Sequence, residues 1–221
     1  MPGQGRTPRD ERRRSLGQNF LRRAVAERVV DEAGVVPGEL VLDIGAGAGA
    51  LTLAAAERGA RVLAVEIDPD WARRLRSLAR SSSFRGRITV VEADFLGWRL
   101  PRQPFRVLSC PPFGATTSIL HRLLDRPSHA LQRADLVVQW EVARKRAATP
   151  PDTLVSTAWA PWWAFSLGRR IPAREFRPVP RVDAGVLTVV RRSPPLLPVE
   201  LAPSFGGFVR RHWPFSAPPT W

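Results

Sequence analysis

Leu40-Val41-Leu42-Asp43-Ile44 runs directly into Gly45-Ala46-Gly47-Ala48-Gly49, and Ala50-Leu51-Thr52-Leu53-Ala54-Ala55-Ala56-Glu57-Arg58 follows. The first five residues, four of them apolar, read as a strand buried on both faces. Three glycines at alternate positions let the backbone turn tightly and bring its amides close to a ligand. The alanine-leucine run reads as a helix whose N-terminus points at that ligand. A strand, a glycine loop and a helix in this order open a doubly wound α/β fold.

The same rhythm continues outward. Arg61 to Glu66, Arg87 to Glu92, Phe105 to Ser109 and Asp135 to Gln139 read as further strands, separated by helical segments at Trp71 to Arg80, Thr117 to Leu124 and Glu141 to Ala147. Apolar strands alternating with helices imply a parallel sheet covered on both sides. Upstream, Leu21, Val25, Val29 and Ala33 share one helical face, and Gly34 is the stop signal. Beyond Pro150 the pattern changes to a Trp-rich stretch and a strand from Gly185 to Val190, read as an antiparallel hairpin closing one sheet edge. Trp159, Trp162 and Trp163 are read as packing residues of that edge strand. Residues 1–15 read as a flexible basic arm, 16–192 as the main domain and 193–221 as a Pro-rich tail.

The 221 residues carry 34 Lys plus Arg against 20 Asp plus Glu, a formal charge of +14 that predicts a polyanionic partner, nucleic acid above all. Lys145 is the sole lysine, and arginine suits bidentate phosphate contacts. Arg12, Arg13 and Arg14, then Arg144, Lys145 and Arg146, then Arg169 and Arg170, and finally Arg210 and Arg211 are the candidate RNA-phosphate clusters; any single one reads equally well as a solvated face. A single cysteine excludes an internal disulfide, and no Cys/His grouping has zinc-ligand spacing. No metal is expected. No apolar run approaches the roughly 20 residues of a membrane span, and Asp10 and Glu11 interrupt the basic arm, so a cytoplasmic protein without a membrane partner is expected.

Glu66 ends the second strand about 20 residues after the glycine loop, where a carboxylate can take both hydroxyls of a ribose. Gly45-x-Gly47-x-x-Ala50 also satisfies a relaxed dinucleotide fingerprint. Asp43 before the glycines and Asp94 after the third strand favour S-adenosylmethionine instead: it has no pyrophosphate, and its cationic sulfonium prefers an acidic rim. Asp94 is placed to accept from an adenine amino group, although Asp43 as a helix cap and Asp94 as a turn residue is the plainer alternative.

At the end of the fourth strand stands Ser109-Cys110-Pro111-Pro112-Phe113, where ligands of open α/β sheets meet. Together with Gly17-Gln18-Asn19-Phe20-Leu21, Asp43 to Thr52, Val65-Glu66-Ile67-Asp68, Glu92-Ala93-Asp94-Phe95, Gln139-Trp140-Glu141-Val142-Ala143 and Phe176-Arg177-Pro178-Val179-Pro180-Arg181-Val182-Asp183, this segment resembles the rRNA adenine-N6 dimethyltransferases. Within that Erm and KsgA group the likeness is greater to the Erm branch, which confers resistance to macrolides, lincosamides and streptogramin B. It extends from about Leu16 to Arg192.

The resemblance implies a Rossmann-like, S-adenosylmethionine-dependent methyltransferase fold with a mostly parallel seven-stranded sheet and an antiparallel edge. It implies a monomer acting on 23S rRNA, naked or in an assembling large subunit, with residues 193–221 as the remnant of a C-terminal RNA-binding domain. The cofactor would contact Gln18, Asn19, Leu21, Asp43, Gly45, Gly47, Glu66, Ile67, Asp94, Phe95, Ser109 and Cys110. A flipped adenine would stack on Phe113 with Phe176 on its other side, while Cys110 and the Pro111 carbonyl would accept its two N6 hydrogens. Three departures stand out: Cys110 occupies the position of a motif Asn, Ala184 that of a Ser, and the C-terminal domain is reduced. A thiol is a weak acceptor, so half of the amine clamp is impaired.

Three alternatives remain beside this reading. One is a small-subunit rRNA adenine dimethyltransferase; another is a cofactor- and rRNA-binding protein whose chemistry has weakened through Cys110. The third is an RNA cytosine-C5 methyltransferase with Cys110 as nucleophile, although those enzymes place Pro before Cys and this chain has the reverse.

Overall fold

A computed structural model describes residues 19–81 and 83–213. The short strand β1 (Phe20–Leu21) leads into the helix Arg23–Ala33 and then β2 (Leu40–Ile44). After the glycine loop come the helix Ala50–Glu57, β3 (Arg61–Glu66), the helix Pro69–Ala79, β4 (Ile88–Glu92) and β5 (Phe105–Ser109). A 3-10 turn at Phe113–Ala115 opens the helix Thr116–Leu124, followed by β6 (Leu131–Gln139) and the helices Trp140–Arg146 and Leu154–Trp159. The chain closes with β7 (Trp163–Ile171), β8 (Phe176–Arg177), β9 (Ala184–Arg191) and the helix Ala202–His212.

Seven strands form one sheet in the order β4-β3-β2-β5-β6-β9-β7. The first five are mutually parallel, and β9 runs antiparallel to both β6 and β7. This is the doubly wound α/β arrangement, with the strand order reversing between β2 and β5 and a crevice above their carboxyl ends. The two central strands β2 and β5 are buried along their whole length, which is why their sequences are mostly apolar. Arg106 is the exception on β5: its guanidinium pairs with Glu39 at 2.9 Å and donates to the carbonyls of Ala33 and Gly34, fastening the amino-terminal edge of the sheet.

The structure corrects several sequence boundaries, each for a physical reason. The first helix starts at Arg23, because Phe20 and Leu21 are extended and pair with Arg177 and Phe176. The helix expected from Trp71 starts at Pro69, where the Asp68 side chain caps the Asp70 amide at 2.8 Å and proline suits the first turn. Strand β6 begins at Leu131 rather than Asp135, since Arg133 bonds the buried Asp135 carboxylate at 2.8 and 2.9 Å and lets both charges enter the sheet. Trp159 ends a helix and Trp163 opens β7, so only the latter lies on the edge strand; both are buried, as is Trp162. Within residues 193–213 the chain forms the helix Ala202–His212, which buries Val209 and sets Phe205 edge-on to Trp162 at 5.8 Å.

Candidate active site

A cleft of about 550 Å³ opens above the carboxyl ends of β2, β3 and β5. Its floor is the glycine loop, where Gly45, Gly47 and Gly49 all have positive φ, the region that disfavours a Cβ. Close packing adds a second requirement. A Cβ on Gly47 would lie 2.8 Å from the Phe20 ring, and one on Gly45 would lie 3.1 Å from Pro112. The loop is therefore wedged between the first and third motifs.

Two acidic side chains hold this floor. Glu66, at the end of β3, accepts from the Gly47 amide at 2.7 Å and from the Asp68 amide at 2.8 Å, and burial raises its pKa. Asp43, at the end of β2, accepts from the Thr52 hydroxyl at 2.6 Å, joining strand to helix across the loop. Burial, opposed by that hydrogen bond and reinforced by the Glu66 charge, pushes Asp43 up to about 7. The third carboxylate, Asp94, accepts from the Leu96 amide at 2.9 Å and so stabilises the turn that brings it to the rim. Asp94 is thus a turn residue that also lines the cleft.

Of the cofactor-contact residues expected from sequence, Asn19, Leu21, Asp43, Gly45, Gly47, Glu66, Ile67, Asp94, Phe95 and Cys110 all line the cleft. Gln18 and the arm residues Arg12, Arg13 and Arg14 lie outside the described residues. Ser109 does not reach the cleft wall; its hydroxyl is buried and donates to the Ile44 carbonyl at 2.6 Å, tying β5 to β2. Phe20, Ala93, Leu96, Pro112, Gly114, Ala115, Ser118 and Ile119 also line it and escaped the sequence reading. For Phe20 the signal was available, since an aromatic beside Asn19 in the first motif had no other task.

Cys110 sits where the cleft meets the proline turn, partly exposed as a residue but with a thiol that burial and the nearby Asp43 push up to about 12. It is therefore a neutral S–H at physiological pH, a state without the thiolate a covalent nucleophile needs. Phe113 is half-buried at the start of the 3-10 turn. Phe176 corrects an expectation: it has no exposed area, because Leu21 opposes it across the β1–β8 pair and its ring meets Phe113 edge-on at 6.2 Å. In this arrangement no face of Phe176 is open to a second ring.

The candidate RNA-contact clusters divide. Arg146 is half-buried, bonds Thr153 at 2.9 Å and covers the Trp159 ring, so it is a packing residue rather than a phosphate ligand. Arg144 pairs with Glu141, Arg169 with Glu32 and Arg170 with Asp183, which leaves Lys145 without an ion pair in that set among the described residues. The charge these clusters offer a polyanion is smaller than the sequence count suggests. Among the described residues no group of three or more His, Cys, Asp or Glu could hold a metal, and no helix is long and apolar enough to cross a membrane.

A glycine-looped acidic cleft at the carboxyl edge of a seven-stranded, mostly parallel sheet defines a methyltransferase of the doubly wound class, and the residues lining it suit S-adenosylmethionine: apolar walls, a buried carboxylate at the end of β3, and acidic groups rather than cations around the loop. The family profile described as ribosomal RNA adenine dimethylase matches residues 9–213, and the chain belongs to that family. It is 38% identical over 206 residues to an rRNA adenine N-6-methyltransferase of Corynebacterium diphtheriae, covering 93% of this chain and 78% of the relative. It is 40% identical to the mycinamicin-resistance protein MyrB of Micromonospora griseorubida, covering 92% of this chain but 64% of the relative. The crystal structure of the 23S rRNA methyltransferase ErmE superimposes with a TM-score of 0.76 and 33% identity, covering 87% of this chain and 78% of that one.

Proposed function

We propose that this chain transfers a methyl group from S-adenosylmethionine to N6 of an adenine in 23S rRNA, in the cytoplasm and as a monomer, and thereby confers resistance to macrolides and related drugs. The observation that carries this reading is the continuity of the cleft: the glycine loop, Glu66 and Asp94 share it with Cys110, Pro112 and Gly114, so a donor in the first part faces the proline turn in the second.

In this reading Glu66 and Asp94 hold the polar ends of the donor while the apolar walls at Ile67, Phe95 and Ile119 exclude water. Bound there, S-adenosylmethionine supplies an electrophilic methyl on a positively charged sulfur. The chain's remaining task is to place an amine in line with it. An adenine taken out of its stack rests on Phe113, and the Pro111 carbonyl accepts one N6 hydrogen. Cys110 faces the other hydrogen with a weak acceptor, which costs about 1 to 3 kcal/mol and so roughly ten- to a hundredfold in rate. After transfer the spare proton leaves to water, so no strong base is required and positioning with electrostatics accounts for the catalysis. The neutral Cys110 thiol argues against a cytosine-C5 mechanism, which begins from a thiolate.

The test is a mass-spectrometric map of methylated adenines in rRNA from cells expressing the chain, paired with growth on a macrolide. One modified 23S adenine together with resistant growth is the expected result. Methylation confined to small-subunit rRNA, or to cytosine C5, would overturn it.

A further inference from the structure

The small sheet formed by β1 and β8 places one cation beside a residue of the cleft wall, and no carboxylate among the described residues offsets it. Phe20 stands directly opposite Arg177, and Leu21 opposite Phe176. Residues opposed in an antiparallel pair project to the same face, and successive residues alternate. Leu21 and Phe176 therefore share the buried face, as their burial confirms, while Phe20 and Arg177 share the other. Phe20 lines the cleft and touches the glycine loop, so Arg177 lies on the same face as a residue of the cleft wall.

The neighbouring charges are already engaged. Arg22 lies 4.0 Å from Glu175, and Arg174 lies 3.9 Å from the same carboxylate. Two guanidinium groups thus share one acid, and Arg177, exposed at its pairing position, has no ion pair or hydrogen bond from its side chain among the described residues. An exposed guanidinium on a short, hydrogen-bonded strand costs little to hold and presents its planar fork outward, the geometry that suits a phosphodiester.

We propose that Arg177 binds an RNA backbone phosphate next to the nucleotide that enters the cleft, with Arg22 and Arg174 as a partly neutralised flank. The proposal rests on the rRNA reading and names a contact within it. A carboxylate on the methyl donor is the competing ligand for such a cation. It is disfavoured because Arg177 does not line the cleft, whereas Phe20 of the opposing strand and the preceding Asn19 do.

The test uses the whole chain and a synthetic 23S rRNA hairpin containing the adenine found modified in expressing cells. Binding is measured from about 50 to 300 mM salt for the wild type, Arg177→Gln, Arg177→Lys and Arg61→Gln, the last being an exposed arginine at the opposite, amino-terminal edge of β3. One phosphate contact contributes about 0.7 to 0.9 to the slope of log K against log salt. Arg177→Gln should flatten the slope by that amount and weaken binding about fourfold or more near physiological salt. Arg177→Lys should keep the slope, Arg61→Gln should leave it unchanged, and calorimetry should show donor affinity within twofold of wild type in all variants. An unchanged slope in Arg177→Gln, an equal change in Arg61→Gln, or a loss of donor affinity beyond twofold would each overturn the Arg177 contact while leaving the enzyme's substrate intact. If no 23S adenine is modified in cells, the substrate reading fails and the contact fails with it.

Discussion

Asp43→Asn should make the protein more stable at pH 8 than the wild type while weakening its grip on the methyl donor. The Asp43 carboxyl is 2% exposed, and burial moves it from an ordinary 3.8 to about 7. At about 1.36 kcal/mol per pKa unit, that rise corresponds to about 4 kcal/mol held against the ionised form. The sign follows from proton counting. Below pH 3.8 the folded and unfolded chains both hold the proton, and this group leaves stability at its full value. Between there and about 7 the folded chain keeps a proton that the unfolded chain has released, so stability falls as pH rises and levels off above 7. Asparagine cannot ionise, and its amide oxygen can still accept from Thr52, whose bond to Asp43 spans 2.6 Å. The difference between variant and wild type should therefore shift in the variant's favour by about 3 kcal/mol from pH 5 to pH 8. Urea unfolding followed by tryptophan fluorescence at those two pH values measures it directly. In parallel, calorimetry should show weaker donor binding by the variant at pH 8, because a negative charge near the cationic sulfonium has gone. A stability gap that stays constant to within about 1 kcal/mol between the two pH values would refute the buried-carboxyl argument.

Cys110→Asn should keep or raise adenine-N6 methylation, since an amide oxygen accepts an N6 hydrogen better than sulfur does; a folded, donor-binding variant without N6-methyladenine product would rule out the clamp. Gly47→Ala should lose donor affinity and about 1 to 3 kcal/mol of stability, because φ is +52° and the new Cβ meets Phe20 at 2.8 Å; wild-type values in both calorimetry and thermal unfolding would refute the wedge. Arg146→Ala should lower the melting temperature through lost bonds to Thr153 and lost cover of Trp159, yet leave the salt dependence of RNA binding unchanged; a flattened slope would return Arg146 to the phosphate contacts.

Where a residue's fate was set by its neighbours in sequence, its role was legible before the structure. The apolar runs at Leu40 to Ile44 and Phe105 to Ser109 announced central strands because both of their faces are covered. Glycines at 45, 47 and 49 announced a loop because only backbone with positive φ makes that turn. What escaped depended on partners distant in sequence. Leu131 to Ala134 carried no strand signal, since the charge of Arg133 is answered by Asp135 and by pairing with β9. Phe176 sits among prolines and an arginine, a surface-like context, yet β1 and Phe113 enclose it. The run Arg144-Lys145-Arg146 read as a basic patch, although Arg144 is paired with Glu141 at the surface and Arg146 turns to a hydroxyl and ring cluster.

These long-range contacts also explain why motifs from the two ends of the domain belong to one site. Phe20 packs against Gly47 and has the Trp71 ring 4.7 Å away, which ties the first motif to the glycine loop. The next residue, Leu21, opposes Phe176, and Phe176 meets Phe113, whose 3-10 turn supplies Gly114 and Ala115 to the far wall of the cleft. The contacts thus pass from the glycine loop to Phe20, along the backbone to Leu21, and through Phe176 and Phe113 to the proline turn. The first motif is therefore packed against the glycine loop through Phe20 and, through Leu21 and Phe176, against the ring of Phe113.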